Sequence, residues 1–334
     1  MRVDRVVVTG GAGFIGSHLC EALLRDGCDV VCLDNFLTGT PANVADLIGH
    51  SRFQLRFCDL TQEVRLDGPV DAVLHLASSS APADYRRLAI RSLRTGAIGT
   101  WRALELARTK RARLVLGSAA EIYGEPQIHP QPEYYWGAVD PVGPTSVHSE
   151  AKRYAEALTA AYRAQERTDT AIVRIFNTYG PGMRLTDGRA VGTFLRQALR
   201  DEPLAVTGNG AQIRSACYID DLVDGFLRVA RSSIPGPINL GDPQGRSILR
   251  AARDIVAATG SRSKVTFVDA RVGEPGHRCP DVTLAEQLLD WRPRTSWTDG
   301  LAATIAWARQ RLEPMTLDRP APQRLPRARF TVDL

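Results

Sequence analysis

A glycine-rich turn near the N-terminus leaves few folds open to this chain. Residues 3–9, rich in valine, read as a short buried parallel strand. They run into Gly10, Gly11, Ala12, Gly13, Phe14, Ile15 and Gly16, after which apolar residues recur at helical spacing. Strand, glycine loop and helix in that order are what a dinucleotide site requires. Gly10 permits the tight turn, Gly13 lets the backbone approach a pyrophosphate, and Gly16 allows close helix–strand packing. A plain tight turn would use similar glycines, so the next strand carries the decision. Residues 29–33 form that strand and end at Asp34, 18 residues beyond Gly16. A carboxylate there accepts both ribose hydroxyls of an adenosine and repels a 2′-phosphate, which selects NAD over NADP. Asp59, after a third strand over 53–58, is placed either to meet the adenine amino group or to close a surface turn.

Further strands at 72–76 and 114–116, an amphipathic helix over 91–108 and a sixth strand at 171–176 continue the alternation. The expected fold is therefore α/β: a Rossmann-type doubly wound parallel sheet with a smaller C-terminal substrate-binding subdomain. The boundaries expected are 1–180 for the NAD-binding domain, completed by a later strand near 237–241, and 181–312 for most of the substrate part. A proline- and arginine-rich tail, 313–334, reads as a flexible segment or an arm on a partner subunit. Ligands in such sheets lie beyond the carboxyl ends of the strands. Besides Gly10, Gly13, Gly16, Asp34 and Asp59, the expected cofactor contacts are Phe14, Ile15, Asn35, Leu60, Leu76 and Ala77.

Composition removes other classes. The net charge of +5 comes from 42 basic and 37 acidic residues that are interspersed, so no nucleic acid partner is expected. No run of about 18 apolar residues exists, and residues 1–9 lack a signal-peptide core, so no membrane association is expected. The six cysteines (20, 28, 32, 58, 217 and 279) show no CxxC spacing, which argues against a metal site or disulfide framework and for a reduced, cytoplasmic setting. Only three lysines occur, Lys110, Lys152 and Lys264. Any motif that needs a lysine can thus be checked completely.

The segments TGGAGFIGSHL (9–19), IYGEP (122–126), YWG (135–137) with PVGP (141–144), and RIFNTYGP (174–181) carry a resemblance. DGR (187–189), QAL (197–199), DDLVDG (220–225) and NLG (239–241) extend it. Over about residues 5–312 the chain resembles the extended short-chain dehydrogenase/reductase family, and within it the UDP-glucuronate decarboxylases. The residues alone lead only to an NAD-binding, dehydrogenase-type fold. The resemblance implies oxidation of a sugar hydroxyl at C4 by bound NAD, which leaves a ketone β to the uronate carboxylate. Carbon dioxide then departs, and the enolate is reprotonated. The family's first step relies on Tyr-xxx-Lys, in which the lysine lowers the phenol's pKa from one helical turn away, and on a nearby serine or threonine.

The chain departs from that equipment. His148 stands where the family places the tyrosine, while Lys152 is retained; the residues four before the three lysines are Leu106, His148 and Gly260, so no displaced motif exists. After the fifth strand the chain reads Ser118, Ala119, Ala120, Glu121, Ile122, Tyr123 and Gly124, where the family carries Ser-Thr-Ser-Glu-Val-Tyr-Gly. Tyrosine and both hydroxyls are gone; Glu121, implied to handle the decarboxylation intermediate, remains. A free imidazole with pKa about 6.5, pushed lower by the Lys152 cation, would be neutral and able to accept a proton. His148 is therefore either the substitute base or a histidine without catalytic duty. Lys152 can bond the nicotinamide ribose in either case.

On the substrate side, the resemblance places Asn177 near the phosphates, unless it only stabilises a turn. It places Arg214 on the nucleotide diphosphate, unless it is a solvated arginine among 39. It also places Arg278 on the carboxylate or diphosphate, and Tyr85 and Arg189 on the substrate. Gly182, Thr193 and the pair Ala216–Cys217 depart from the family's larger or amide side chains, which suits a different or larger sugar or relaxed constraint. Three readings stay open: a UDP-glucuronate decarboxylase-type enzyme with altered acid–base groups, an epimerase or oxidoreductase on another sugar, and a non-catalytic binder of NAD and nucleotide sugar. The expected partners are a nucleotide-diphosphate sugar, with UDP favoured, and a second copy joined through helices near 101–110 and 149–163.

Overall fold

A computed structural model describes residues 4–270, 273 and 275–312; the tail at 313–334 lies outside the described residues. Its strands are β1 (Arg5–Thr9), β2 (Asp29–Asp34), β3 (Phe53–Phe57), β4 (Ala72–His75), β5 (Arg113–Ala119), β6 (Thr170–Ile175) and β7 (Thr178–Tyr179). They continue as β8 (Leu204–Thr207), β9 (Ile213–Arg214), β10 (Cys217–Tyr218), β11 (Ile238–Leu240), β12 (Arg246–Ser247), β13 (Val265–Val268) and β14 (His277–Arg278). The helices are α1 (Phe14–Arg25), α2 (Pro82–Arg87), α3 (Ala89–Arg94), α4 (Thr100–Lys110) and α5 (Ser146–Gln165), then α6 (Ala190–Ala198), α7 (Ile219–Arg231), α8 (Ile248–Thr259), α9 (Thr283–Leu289) and α10 (Trp297–Leu312).

Seven parallel strands form the central sheet in the order β11-β6-β5-β4-β1-β2-β3. The valine run that marks β1 is buried on both faces because its side chains alternate. Val6 and Val8 enter the core beneath α1 and α7, whereas Val7 enters the one beneath α4 and α5. After residue 180 the chain returns to the first core with α7, β11 and Trp291, whose indole Nε1 donates to Asp221 O at 3.0 Å. A third hydrophobic core, built from Phe194, Leu195, Leu204, Ile248, Ile255 and Leu301, holds α6, α8, α10 and β8 together.

Strand order reverses between β1 and β4, and the crevice at that reversal is where such sheets bind ligands. Two elements differ from their sequence reading. β5 runs over seven residues: Arg113 begins it inside the fold, paired with Asp169 and donating to Ile234 O at 2.7 Å, and Gly117, Ser118 and Ala119 prolong it by pairing with β6. The helix expected over 91–108 is broken into α3, a π-helical turn (Thr95–Gly99) and α4. Gly96 in that turn lies so close to α5 that a Cβ there would be 2.6 Å from Ala151 Cβ. The π-turn lets the two helices meet without a side chain between them.

Candidate active site

The turn after β1 has the geometry its glycines suggested. Gly10 adopts φ +69°, and a Cβ on it would stand 2.8 Å from the Ala77 backbone. A Cβ at Gly16 would stand 2.2 Å from Gly10 O, so only glycine lets α1 start against the loop. Gly13 caps α1 without a side chain over its first N–H groups, which leaves that positive helix end directed at the crevice. Asp34 ends β2 with its carboxylate accepting from Ala12 N at 3.0 Å and Phe36 N at 2.8 Å. Burial raises its pKa despite these bonds. All twelve expected cofactor residues, from Gly10 to Lys152, line one cleft of about 210 Å³. Asp59 does so while also closing a turn, accepting from Thr61 N at 2.9 Å and Thr61 Oγ1 at 2.8 Å. The cradle of small residues, an uncapped helix end and a carboxylate at the tip of β2 together fit an NAD-sized dinucleotide.

At the inner end of this cleft, β5 and α5 bring the proton-handling groups together. Lys152 donates from Nζ to Gly117 O at 2.6 Å, and burial lowers its pKa to about 8 against the opposing pull of Glu121 and Glu156. One turn earlier His148 is only 2% exposed, with its ring parallel to that of Tyr85 at 5.7 Å. Burial drives its pKa to about 4; Glu121 works against that shift, and Lys152 adds to it. The imidazole is thus neutral at pH 7 and can accept a proton, as a weaker base than a free imidazole. Its Nε2 lies 3.9 Å from Glu121 Oε2, and Glu121 Oε1 accepts from Arg278 Nη1 at 2.7 Å. Burial alone would raise the Glu121 carboxyl, but the Arg278 guanidinium holds it below the usual range. Ala119 and Ala120 are buried methyl groups here. The remaining hydroxyl, Ser118 Oγ, is taken by Glu156 at 2.6 Å, and Glu156 is held in turn by Arg174.

A second cleft, of about 350 Å³, adjoins the first. Tyr85, Arg214 and Arg278 line it, His148 and Lys152 line only the first, and Ser80, Glu121, Asn177, Thr178 and Arg189 line both. Glu121 is therefore the one carboxylate, among the described residues, shared by the two clefts. Arg189 is held at this junction by Ser80 Oγ at 2.7 Å and Asp187 at 3.3 Å. Arg214 donates to Ile213 O at 2.9 Å and Pro275 O at 2.6 Å. Sequence reasoning missed Ser80, which sits in a serine triplet just after β4. It also missed Arg246 and Trp297, which reach the second cleft from the starts of α8 and α10. The serine triplet could have been found from its place after a strand; one arginine among many gives no such signal.

The sequence profile described as the NAD dependent epimerase/dehydratase family matches residues 6–241. The UDP-glucuronic acid decarboxylase 1 of Xenopus tropicalis is 42% identical over 329 residues, 97% of this chain and 78% of that protein. Among solved structures, the UDP-glucuronic acid 4-epimerase of Bacillus cereus, in complex with UDP-glucuronic acid and NAD, superposes with a TM-score of 0.80 at 29% identity, covering 92% of this chain and 99% of that one. The dTDP-glucose 4,6-dehydratase DesIV of Streptomyces venezuelae, with NAD and TYD bound, gives a TM-score of 0.84 at 28% identity, covering 92% and 97%.

Proposed function

The chain belongs to the NAD dependent epimerase/dehydratase family, and on that premise we propose that it is an NAD-dependent enzyme acting on a UDP-linked uronic acid, of the decarboxylase type. The observation that carries this reading is the junction itself: one cleft suited to a dinucleotide, one lined by arginines, and Glu121 between them with Arg278 and His148 on its two oxygens. Bound in the first cleft, NAD would supply the oxidation at sugar C4. Asp34 holds its adenosine ribose, and Lys152 the ribose next to the reacting ring. Neutral His148 takes the proton of the C4 hydroxyl. The imidazolium so formed is stabilised by Glu121, which Arg278 keeps ionised. Arg278 and Arg189 orient the uronate carboxylate. Once C4 is a ketone, the C5–C6 bond breaks, its electron pair passes to the C4 oxygen as an enolate, and carbon dioxide leaves. C5 then regains a proton from His148. Lacking hydroxyls, Ala119 and Ala120 give the ketone no hydrogen bond, so the oxidation step is slower than a threonine-assisted one.

One observation favours a second reading, a protein that holds NAD and a nucleotide sugar without turnover: His148 lines only the cofactor side and is almost fully buried. One experiment separates the two readings. Purified protein is incubated with UDP-glucuronate while carbon dioxide release and absorbance at the reduced-cofactor band are followed. Release that His148→Ala abolishes supports the enzyme; tight NAD and UDP binding without release supports the binder.

The assembly proposed is a homodimer through α4 and α5. Its support is the exposed apolar surface that Leu93, Trp101 and Tyr154 present on α3, α4 and α5. The setting proposed is the cytoplasm, where the six free thiols stay reduced. Among the described residues, no helix is long and apolar enough to cross a membrane.

A further inference from the structure

Three arginines stand in one row across the small sheet that floors the second cleft. Arg214 on the central strand β9 is the register partner of Arg246 on β12 and of Arg278 on β14. Register partners point to the same face and sit about 4.8 Å apart, so the row spans about 10 Å. All three line the cleft. Arg278, at the inner end, is taken up with Glu121, and Arg214 rests on two carbonyls. Arg246, at the outer end, has its guanidinium 4.4 Å above the Trp297 ring, and its Nη1 is buried without a hydrogen-bond partner. Asp242, the carboxyl within its electrostatic reach, accepts instead from Gln244 N at 2.8 Å.

Like charges set directly opposite each other on neighbouring strands destabilise a sheet. Glu121 answers the charge of Arg278, and an anion at the outer end of the row would relieve the repulsion that Arg246 adds. Among the described residues that line this cleft, the other buried side-chain atoms without partners are Arg278 Nε, Trp297 Nε1 and Ser215 Oγ. Two of these can only donate, and the hydroxyl can donate as well, which suits an oxygen-rich anion. Arg246 also stands at the start of α8, where the helix dipole favours negative charge.

We infer that Arg246 is a specificity-determining residue: with Arg214 it forms a two-guanidinium clamp for a nucleoside diphosphate, leaving Arg278 to the sugar end. The inference rests on the nucleotide-sugar reading and adds to it a residue and a selectivity, diphosphate over monophosphate. Two adjacent guanidiniums have one phosphate group each to hold in a diphosphate, but only one between them in a monophosphate.

The test is calorimetric titration of the full-length, NAD-loaded protein with UDP and with UMP, together with melting of the nucleotide-free protein. Wild-type protein is expected to bind UDP at least about tenfold more tightly than UMP. Arg246→Leu keeps the apolar packing on Trp297; it is expected to lose about tenfold in UDP affinity while changing UMP affinity by less than about threefold. Its melting temperature without nucleotide should stay level or rise, because a repelling charge has been removed, whereas a purely structural cation–π role would lower it. Arg246→Lys keeps the charge without the fork and should fall between the two proteins, which guards against misfolding of the leucine variant. An unchanged UDP-to-UMP ratio in both variants overturns the inference and leaves the nucleotide-sugar reading intact. Failure of the wild-type protein to bind either nucleotide overturns both.

Discussion

At the level of single residues, the proposed chemistry centres on how His148 is housed. Burial and Lys152 depress its pKa to about 4, and His75, buried between Thr9 and Thr100, is depressed to about 3. Both are neutral when folded yet would protonate near 6.5 when unfolded, so the unfolded chain binds more protons between these values. Stability is therefore full above about pH 6.5 and is lost as pH falls toward the folded pKa values, each histidine costing about 2 kcal/mol by pH 5. The raised carboxyl of Asp34 acts in the opposite direction at the acid end, so comparison with a variant isolates the histidine. The melting temperature is expected to drop several degrees from pH 7 to pH 5, and His148→Gln should show a visibly shallower drop. Equal slopes in the two proteins would mean that His148 is not held neutral by the fold. That His148 stands four residues before Lys152 was legible in the sequence, because three lysines leave few places to look. Its stacking on Tyr85 and its 3.9 Å approach to Glu121 join three distant segments and could not be read from spacing.

At the level of elements, periodicity exposed the alternation of strands and helices but not how closely two helices may approach. In the π-turn between α3 and α4, Gly96 meets Ala151, and α5, which carries Ala151, also carries His148 and Lys152. Gly96→Ala would force α5 outward; it is expected to cost about 1–3 kcal/mol by denaturant unfolding. The double variant Gly96→Ala with Ala151→Gly should recover most of that loss, and no recovery would show that the strain lies elsewhere. The row of arginines is hidden for a related reason. β9, β12 and β14 are two residues each, too short to leave an alternating pattern, so only the pairing reveals that Arg246, Arg214 and Arg278 are neighbours.

At the level of the whole molecule, the alternation of strands and helices that follows the glycine loop was enough to foresee the doubly wound sheet. The second cleft depends on segments returning from after residue 180, whose pairing partners lie far away in sequence. Quaternary structure is testable on the exposed face of α4 and α5, where Trp101 is 40% and Tyr154 49% exposed. The protein should run as a dimer by light scattering, and Trp101→Asp with Tyr154→Asp should run as a folded monomer; an unchanged mass would place the interface on another face. The central claim is that the two clefts serve one reaction at Glu121, with neutral His148 as the base. Its most direct measurement is carbon dioxide released from UDP-glucuronate carrying a label in its carboxylate. The wild-type protein should release label at a rate that His148→Ala lowers by at least about a hundredfold. No release from the wild-type protein, with NAD and UDP both bound, would contradict the claim.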